Sequence, residues 1–160
     1  MRHPILSKGS RILIWWLAWA LLASGQSLLF YFAYNVPLKM ALADGFISMI
    51  IFGAIGLVVW FPLISMKSPR SFDLTSILNF ILTGALTVYI WITGTKLLME
   101  SLFVESAGYS SLWEDTISYR VAAGVLLFWM LILMYFLFIS AIRLAEKASR
   151  QAQLEALVKE

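Results

Sequence analysis

Apolar residues are gathered into four long runs that contain no charged side chain. The runs cover residues 12–38, 45–66, 74–95 and 121–142. A bilayer-spanning helix needs about 20 consecutive, mostly apolar residues, and each run reaches that length. The runs lack the alternation of a barrel strand, and a spanning backbone must satisfy its own hydrogen bonds. The pattern therefore predicts an all-α membrane protein with four transmembrane helices, over about residues 12–36, 45–66, 74–95 and 121–142.

The first apolar run also has features of a secretory signal peptide. Three basic residues precede it, and the small residues Ala-Ser-Gly at 23–25 follow the apolar stretch 12–22, as at a cleavage site. The run nevertheless continues through the apolar residues 28–32, which cleavage would leave at an exposed new N-terminus. We therefore interpret it as the first membrane helix and keep cleavage as the alternative.

The composition is far from that of a water-soluble protein. Hydrophobic residues make up 61% of the chain and charged residues 13%, against roughly 45–50% and about 25% in soluble proteins. These values exclude a soluble enzyme, a disordered tail and a nucleic-acid-binding domain. The chain has no cysteine and a single histidine, His3, which excludes disulfides and metal sites built from thiolates or histidines. No cofactor, metal or nucleic-acid partner is predicted, and the lipid bilayer is the expected surrounding.

The basic residues are unequally divided between the two sides of the predicted membrane. The N-terminal segment 1–11, the connection 67–73 and the tail 143–160 hold nine lysines and arginines. The connections 39–44 and 96–120 hold three. Because basic residues flank spans on the cytoplasmic side, this asymmetry predicts that both termini are cytoplasmic.

No Asp, Glu, Lys or Arg lies within a predicted span. Pumps, proton relays and voltage sensors use such charges, so their absence disfavours a transporter or channel. Asn79, Thr83 and Thr87 recur at every fourth residue and share one helix face. With Gln26 they form either an interhelical hydrogen-bonding seam or a ligand pocket, and packing precedent favours the seam.

The connection 96–120 is the longest segment between predicted spans. It contains three glutamates and an aspartate, so its net charge is opposite to that of the cytoplasmic segments. One hypothesis is an external sensing surface for a cation or a cationic peptide, formed by Glu105, Tyr109, Trp113, Glu114 and Asp115. The alternative, which we favour, is a solvated connector in which Glu114 belongs to a capping box that begins the fourth helix.

The tail 143–160 has the sequence of a helix that leaves the membrane. It contains no Gly or Pro, and glutamates precede basic residues by four positions at Glu146–Arg150 and Glu155–Lys159. We expect a signal-transmitting helix or short coiled coil that includes Arg143, Glu146, Arg150, Leu154 and Leu157. A polar tail that frays is the alternative, since two heptads do not define a coiled coil.

Four spans followed by a helix with Gln-Ala-Gln-Leu-Glu-Ala-Leu at 151–157 resemble the membrane-sensor half of LytS/YehU-like sensor histidine kinases. The resemblance implies a signal-sensing and dimerisation region of a two-component system in the bacterial inner membrane. It further implies a homodimer, and a cytoplasmic kinase output domain absent from these residues. No catalytic residue is carried over, so the chain itself is not expected to be an enzyme. The alternatives are a small membrane scaffold or accessory subunit and, less favoured, a small transporter or channel subunit.

Overall fold

The computed structural model describes residues 5–6, 9–65, 74–103 and 107–158. Over these residues the chain forms four helices and no strand: α1 (Gly9–Ala33), α2 (Leu38–Ser65), α3 (Leu74–Leu102) and α4 (Ala107–Val158). All four are long and apolar enough to cross a membrane. The protein is therefore an all-α membrane protein, and the prediction of four apolar helices is confirmed.

Two of the helices begin well before the predicted spans. α2 begins at Leu38, seven residues before Gly45, and α4 begins at Ala107. The candidate span in α2 runs from Leu38 to Pro62 and includes Asp44. The candidate span in α4, Leu112–Gln151, likewise includes Arg120, so the helices extend beyond the uncharged runs and contain charged residues. The predicted connection 96–120 is also mostly helical, since its two ends belong to α3 and α4.

A short connection reverses the chain between α1 and α2. Asn35 adopts a left-handed conformation with φ of 53°, which Asn tolerates better than most residues. The backbone N–H groups of Tyr34 and Val36 both donate to the carbonyl oxygen of Phe30 at 3.2 Å. Pro37 then precedes α2, and its carbonyl oxygen accepts from the N–H of Ala41 at 3.0 Å. The connection is too short for anything but antiparallel neighbours.

Aromatic rings and glycines hold α1 and α2 together towards the start of α1. The rings of Trp15 and Trp19 lie 5.4 Å apart, and Trp19 contacts Phe52 of α2 at 5.3 Å between centroids. A Cβ added at Gly53 would lie 2.9 Å from Cδ1 of Trp19, so only glycine lets the ring approach this closely. We call Trp15, Trp19, Phe52 and Gly53 the aromatic layer.

α3 and α4 pack by placing a ring of each helix on a glycine of the other. Phe128 of α4 lies against Gly84, where an added Cβ would be 2.8 Å from its Cε1 atom. Trp91 of α3 lies against Gly124, where an added Cβ would be 2.7 Å from its Cζ3 atom. Phe128 also contacts Phe80 at 5.5 Å. The two glycines therefore fix which faces of α3 and α4 meet.

The chain divides into two compact units, Met1–Phe128 and Trp129–Glu160. The first contains α1, α2, α3 and the beginning of α4. The second contains the remainder of α4, where the side chains of residues 141–145 and 147–151 are exposed. The buried ion pair described below and its hydrogen-bond partners lie in the first unit.

Candidate functional site: a buried ion pair

An ion pair joins α2 to α4 in the interior of the first unit. The Nη2 atom of Arg120 lies 2.7 Å from Oδ2 of Asp44, and the side chains are 1% and 0% exposed. The two residues are 76 positions apart in sequence. Both belong to helices that are candidate membrane spans. Buried charges of this kind are costly unless they are paired and hydrogen-bonded.

The Asp44 carboxylate accepts two further hydrogen bonds. The amide nitrogen Nε2 of Gln26 donates to Oδ1 at 3.2 Å. The hydroxyl of Tyr109 donates to Oδ2 at 3.1 Å. Both oxygens of the carboxylate are therefore satisfied, by donors from α1 and α4, which is the condition for keeping it charged away from water.

The guanidinium of Arg120 is held by its own helix and by two aromatic rings. Its Nε atom donates to Oγ1 of Thr116 at 3.1 Å, and that hydroxyl donates to the carbonyl oxygen of Leu112 at 2.7 Å. The Cζ atom lies 4.5 Å from the ring centroid of Trp113 and 5.0 Å from that of Phe30. These are cation–π distances, which stabilise a cation most where water is excluded. The rings therefore also limit where the guanidinium can lie.

A serine extends the hydrogen bonds to α3. Nε2 of Gln26 lies 3.4 Å from Oγ of Ser48, and Nε1 of Trp91 donates to the same oxygen at 3.0 Å. All four helices thus contribute to one set of buried polar contacts. We call this set the polar cluster, and its members are Gln26, Asp44, Ser48, Trp91, Tyr109, Thr116 and Arg120.

The surroundings of the polar cluster are apolar. Phe30, Met40, Met99 and Leu112 belong to a buried group that also includes Tyr109 and Trp113. Burial, with a further contribution from Asp44, raises the pKa of the Tyr109 hydroxyl above its usual 10.0, although Arg120 opposes the change. Tyr109 precedes the candidate span of α4. It is therefore a neutral donor to Asp44 at physiological pH.

The structure does not bring the predicted external sensing residues onto one surface. Tyr109 and Trp113 are buried against the polar cluster, whereas Glu114 and Asp115 are exposed. Glu105 lies outside the described residues. The reason is helical geometry, because Tyr109, Trp113 and Arg120 share one face of α4 and the two acidic residues occupy another.

The structure also does not bring together all residues of the predicted interhelical seam. Gln26 is buried in the polar cluster, and Thr87 is a buried residue of α3. Asn79 is exposed, and the hydroxyl of Thr83 donates to the carbonyl oxygen of Asn79 at 2.7 Å, within its own helix. Asn79, Thr83 and Thr87 therefore all lie in α3, but the described contacts of Asn79 and Thr83 do not include Gln26.

The predicted cytoplasmic segment 143–160 is helical as far as Val158, as the end of α4. Arg143 and Arg150 are exposed. Glu146 lies within α4, as do Leu154 and Leu157. The side chains of these last three residues are outside the described set.

Sequence reasoning missed the ion pair itself. Asp44 and Arg120 each lie at the edge of an uncharged run, so each was assigned to a connection between spans. One signal could have found Arg120: Tyr109, Trp113, Thr116 and Arg120 recur at helical spacing upstream of the last apolar run. Nothing local indicates Asp44 as the partner, because its pairing depends on how α2 and α4 meet.

No family model, curated protein or solved structure matches the chain. Among the residues that the structure describes, no group of three His, Cys, Asp or Glu side chains could hold a metal ion. The polar cluster pairs charges rather than placing a nucleophile beside a base. What it can do is hold the beginning of α4 against the other three helices in one arrangement.

Proposed function

We propose that this chain is the signal-sensing and dimerisation region of a two-component sensor histidine kinase. In this proposal it lies in the bacterial inner membrane with both termini in the cytoplasm, and its partner is a second copy of itself. The observation that carries the proposal is the continuity of α4. This helix runs for 52 residues from Ala107 to Val158, whereas about 20 suffice to span a bilayer.

The beginning of α4 contains the charge that pairs with Asp44. A rigid helix transmits a change only if its attachment has two discrete arrangements. A buried ion pair can provide them, because separating the charges costs about 3–5 kcal/mol unless new partners replace the old ones. A signal that offers Asp44 or Arg120 another partner would therefore change how the beginning of α4 packs against the other helices.

The division of basic residues supports the orientation. It favours a cytoplasmic location for the end of α4, where a kinase domain would receive the displacement. The exposed residues 141–145 and 147–151 leave this part of α4 available to a second copy.

A kinase fusion tests the proposal. Residues 1–160 are joined to the dimerisation and catalytic domains of a histidine kinase, with one to seven alanines inserted after Arg150. Autophosphorylation in proteoliposomes should rise and fall with a period of about 3.5 residues, because each insertion rotates the output domain. A matched series with a Gly-Ser linker at the same position should show no period. Equal activity across the alanine series would overturn the proposal, as would a stop codon directly after residue 160 in the gene.

A small transporter is a second candidate function, and Asp44 is the observation that favours it. An ionisable residue within a membrane span commonly marks an ion or proton path. Against this reading, Asp44 is engaged by Arg120, Gln26 and Tyr109. Proton flux into liposomes is the test, with Asp44→Asn as control. Flux that exceeds empty vesicles and disappears in Asp44→Asn would establish the transporter.

A further inference from the structure

The Trp91 side chain contacts both Ser48 of α2 and Gly124 of α4. On one edge, its Nε1 atom donates to the carbonyl oxygen of Ser48 at 2.8 Å and to the hydroxyl at 3.0 Å. On the other edge, Cζ3 and Cε3 lie 2.7 and 3.0 Å from the position of a Cβ on Gly124. The side chain is 1% exposed. The ring therefore fills the space between α2 and α4 at this level.

Neighbouring side chains also restrict lateral movement of the Trp91 ring. Phe52 lies perpendicular to it with centroids 5.3 Å apart, and Phe52 itself packs on Trp19. The carbonyl oxygen of Trp91 accepts from Oγ1 of Thr95 at 2.8 Å. Interiors packed this closely do not let one ring tilt alone. A displacement of Ser48 must therefore move the ring against Gly124 or break the indole hydrogen bond.

Ser48 in turn is linked to the buried charges. Nε2 of Gln26 lies 3.4 Å from the Ser48 hydroxyl and 3.2 Å from Oδ1 of Asp44. This gives an indirect route from Asp44 to α4, in addition to the direct bonds of Asp44 with Arg120 and Tyr109. This route reaches α4 at Gly124, which is four residues from Arg120 and shares one face of the helix with it.

We propose that Trp91 is a positioning residue that sets how α4 lies against α3 according to the state of Gln26 and Ser48. Tyr109 and Arg120 attach α4 to Asp44, and Phe128 packs on Gly84 of α3. The contact of Trp91 with Gly124 lies between Arg120 and Phe128 and is the one that depends on Ser48, so it sets the rotation of α4 at this level. The effect on kinase output rests on the proposed function, whereas the coupling between Ser48 and α4 does not.

Spin labels can test the coupling because the chain contains no cysteine. Ala85→Cys on α3 and Ala122→Cys on α4 place labels at exposed positions, and their distance is measured in liposomes. Ser48→Ala and Trp91→Phe should each shift it by about 1–2 Å, the size of helix displacements in packed interfaces. The double variant should match Trp91→Phe alone. Trp129→Phe, the same substitution at a side chain that is 57% exposed, should leave the distance unchanged.

Two results would overturn the proposed role of Trp91. If Ser48→Ala shifts the distance as much with Trp91→Phe as without it, Trp91 is not the route. Gly124→Ala is a second variant that keeps the indole N–H and displaces the ring from the α4 side. It should shift the same distance, and an unchanged distance would overturn the proposal. If the label distances shift as expected but Trp91→Phe does not change autophosphorylation of the kinase fusion, the positioning role stands and the proposed function fails.

Discussion

The α1–α2 pair is held by different physics at its two ends. In the aromatic layer, Trp19, Phe52 and Gly53 fit by shape, and no charge is involved. In the polar cluster, Gln26 and Asp44 depend on a matching partner, Arg120, from α4. A shape-fitted contact loosens gradually as atoms are removed or added, whereas a buried charge is either paired or costly. The polar cluster is therefore the end of the α1–α2 pair that can adopt two discrete arrangements.

The largest effect is expected when one charge is removed. Arg120→Met leaves Asp44 buried and unpaired, which should lower the free energy of unfolding by about 3–5 kcal/mol. Denaturation in detergent micelles measures it. Arg143→Met, at an exposed site, is the matched control and should change little. The double variant Asp44→Leu/Arg120→Met should recover most of the loss, and equal losses in Arg120→Met and Arg143→Met would contradict the assignment.

The aromatic layer should respond to volume instead. Gly53→Ala places a methyl group 2.9 Å from the Trp19 ring, and overpacking of this kind costs about 1–3 kcal/mol. Gly94→Ala is the control, because its Cβ would have Ile51 atoms at 3.7 and 3.8 Å and alanine favours the helix. The same denaturation assay should rank Gly53→Ala below wild type and Gly94→Ala at or above it. The reverse order would remove the distinction between the two ends.

Removing a neutral donor should cost less than removing a charge. Tyr109→Phe keeps the ring and deletes one hydrogen bond to the Asp44 carboxylate, at about 1.5 kcal/mol. If combined with Arg120→Met, its effect should change, since both residues serve the same oxygen. Strict additivity in the double-mutant cycle would mean that the two donors act independently.

The smallest effect concerns pH. The pKa of Tyr109 is raised above 10.0 in the folded protein by burial and by Asp44, so its ionisation opposes folding. Its contribution is complete below about pH 10 and falls as pH rises beyond that value. Between wild type and Tyr109→Phe, the difference in stability should be constant from pH 6 to 9 and shrink in more alkaline buffer. A difference that changes near neutral pH would show that Tyr109 is not the neutral donor described.

The sequence predicted the helices well because long uncharged runs have few other uses in a protein. It did not predict that Asp44 lies within a membrane helix, because a charged residue indicates the end of a span unless its partner is known. Arg120 is that partner, and only the meeting of α2 and α4 reveals it. Tyr109 and Trp113 were placed outside for the same reason, since an apparent loop hides the fact that they share a helix face with Arg120. Glu114 and Asp115 are exposed on another face of α4, and their position does not depend on how the helices meet.

The distance of 76 residues between Asp44 and Arg120 has a consequence for the synthesis of the protein. At roughly 5–20 residues per second, the ribosome completes Arg120 about 4–15 s after Asp44. During that interval α1 and α2 can already form their hairpin, and Gln26 and Ser48 are present near the carboxylate. The guanidinium of Arg120 has not yet been synthesised. The nascent chain therefore passes through a period with an unmatched acid, and insertion of α4 ends it.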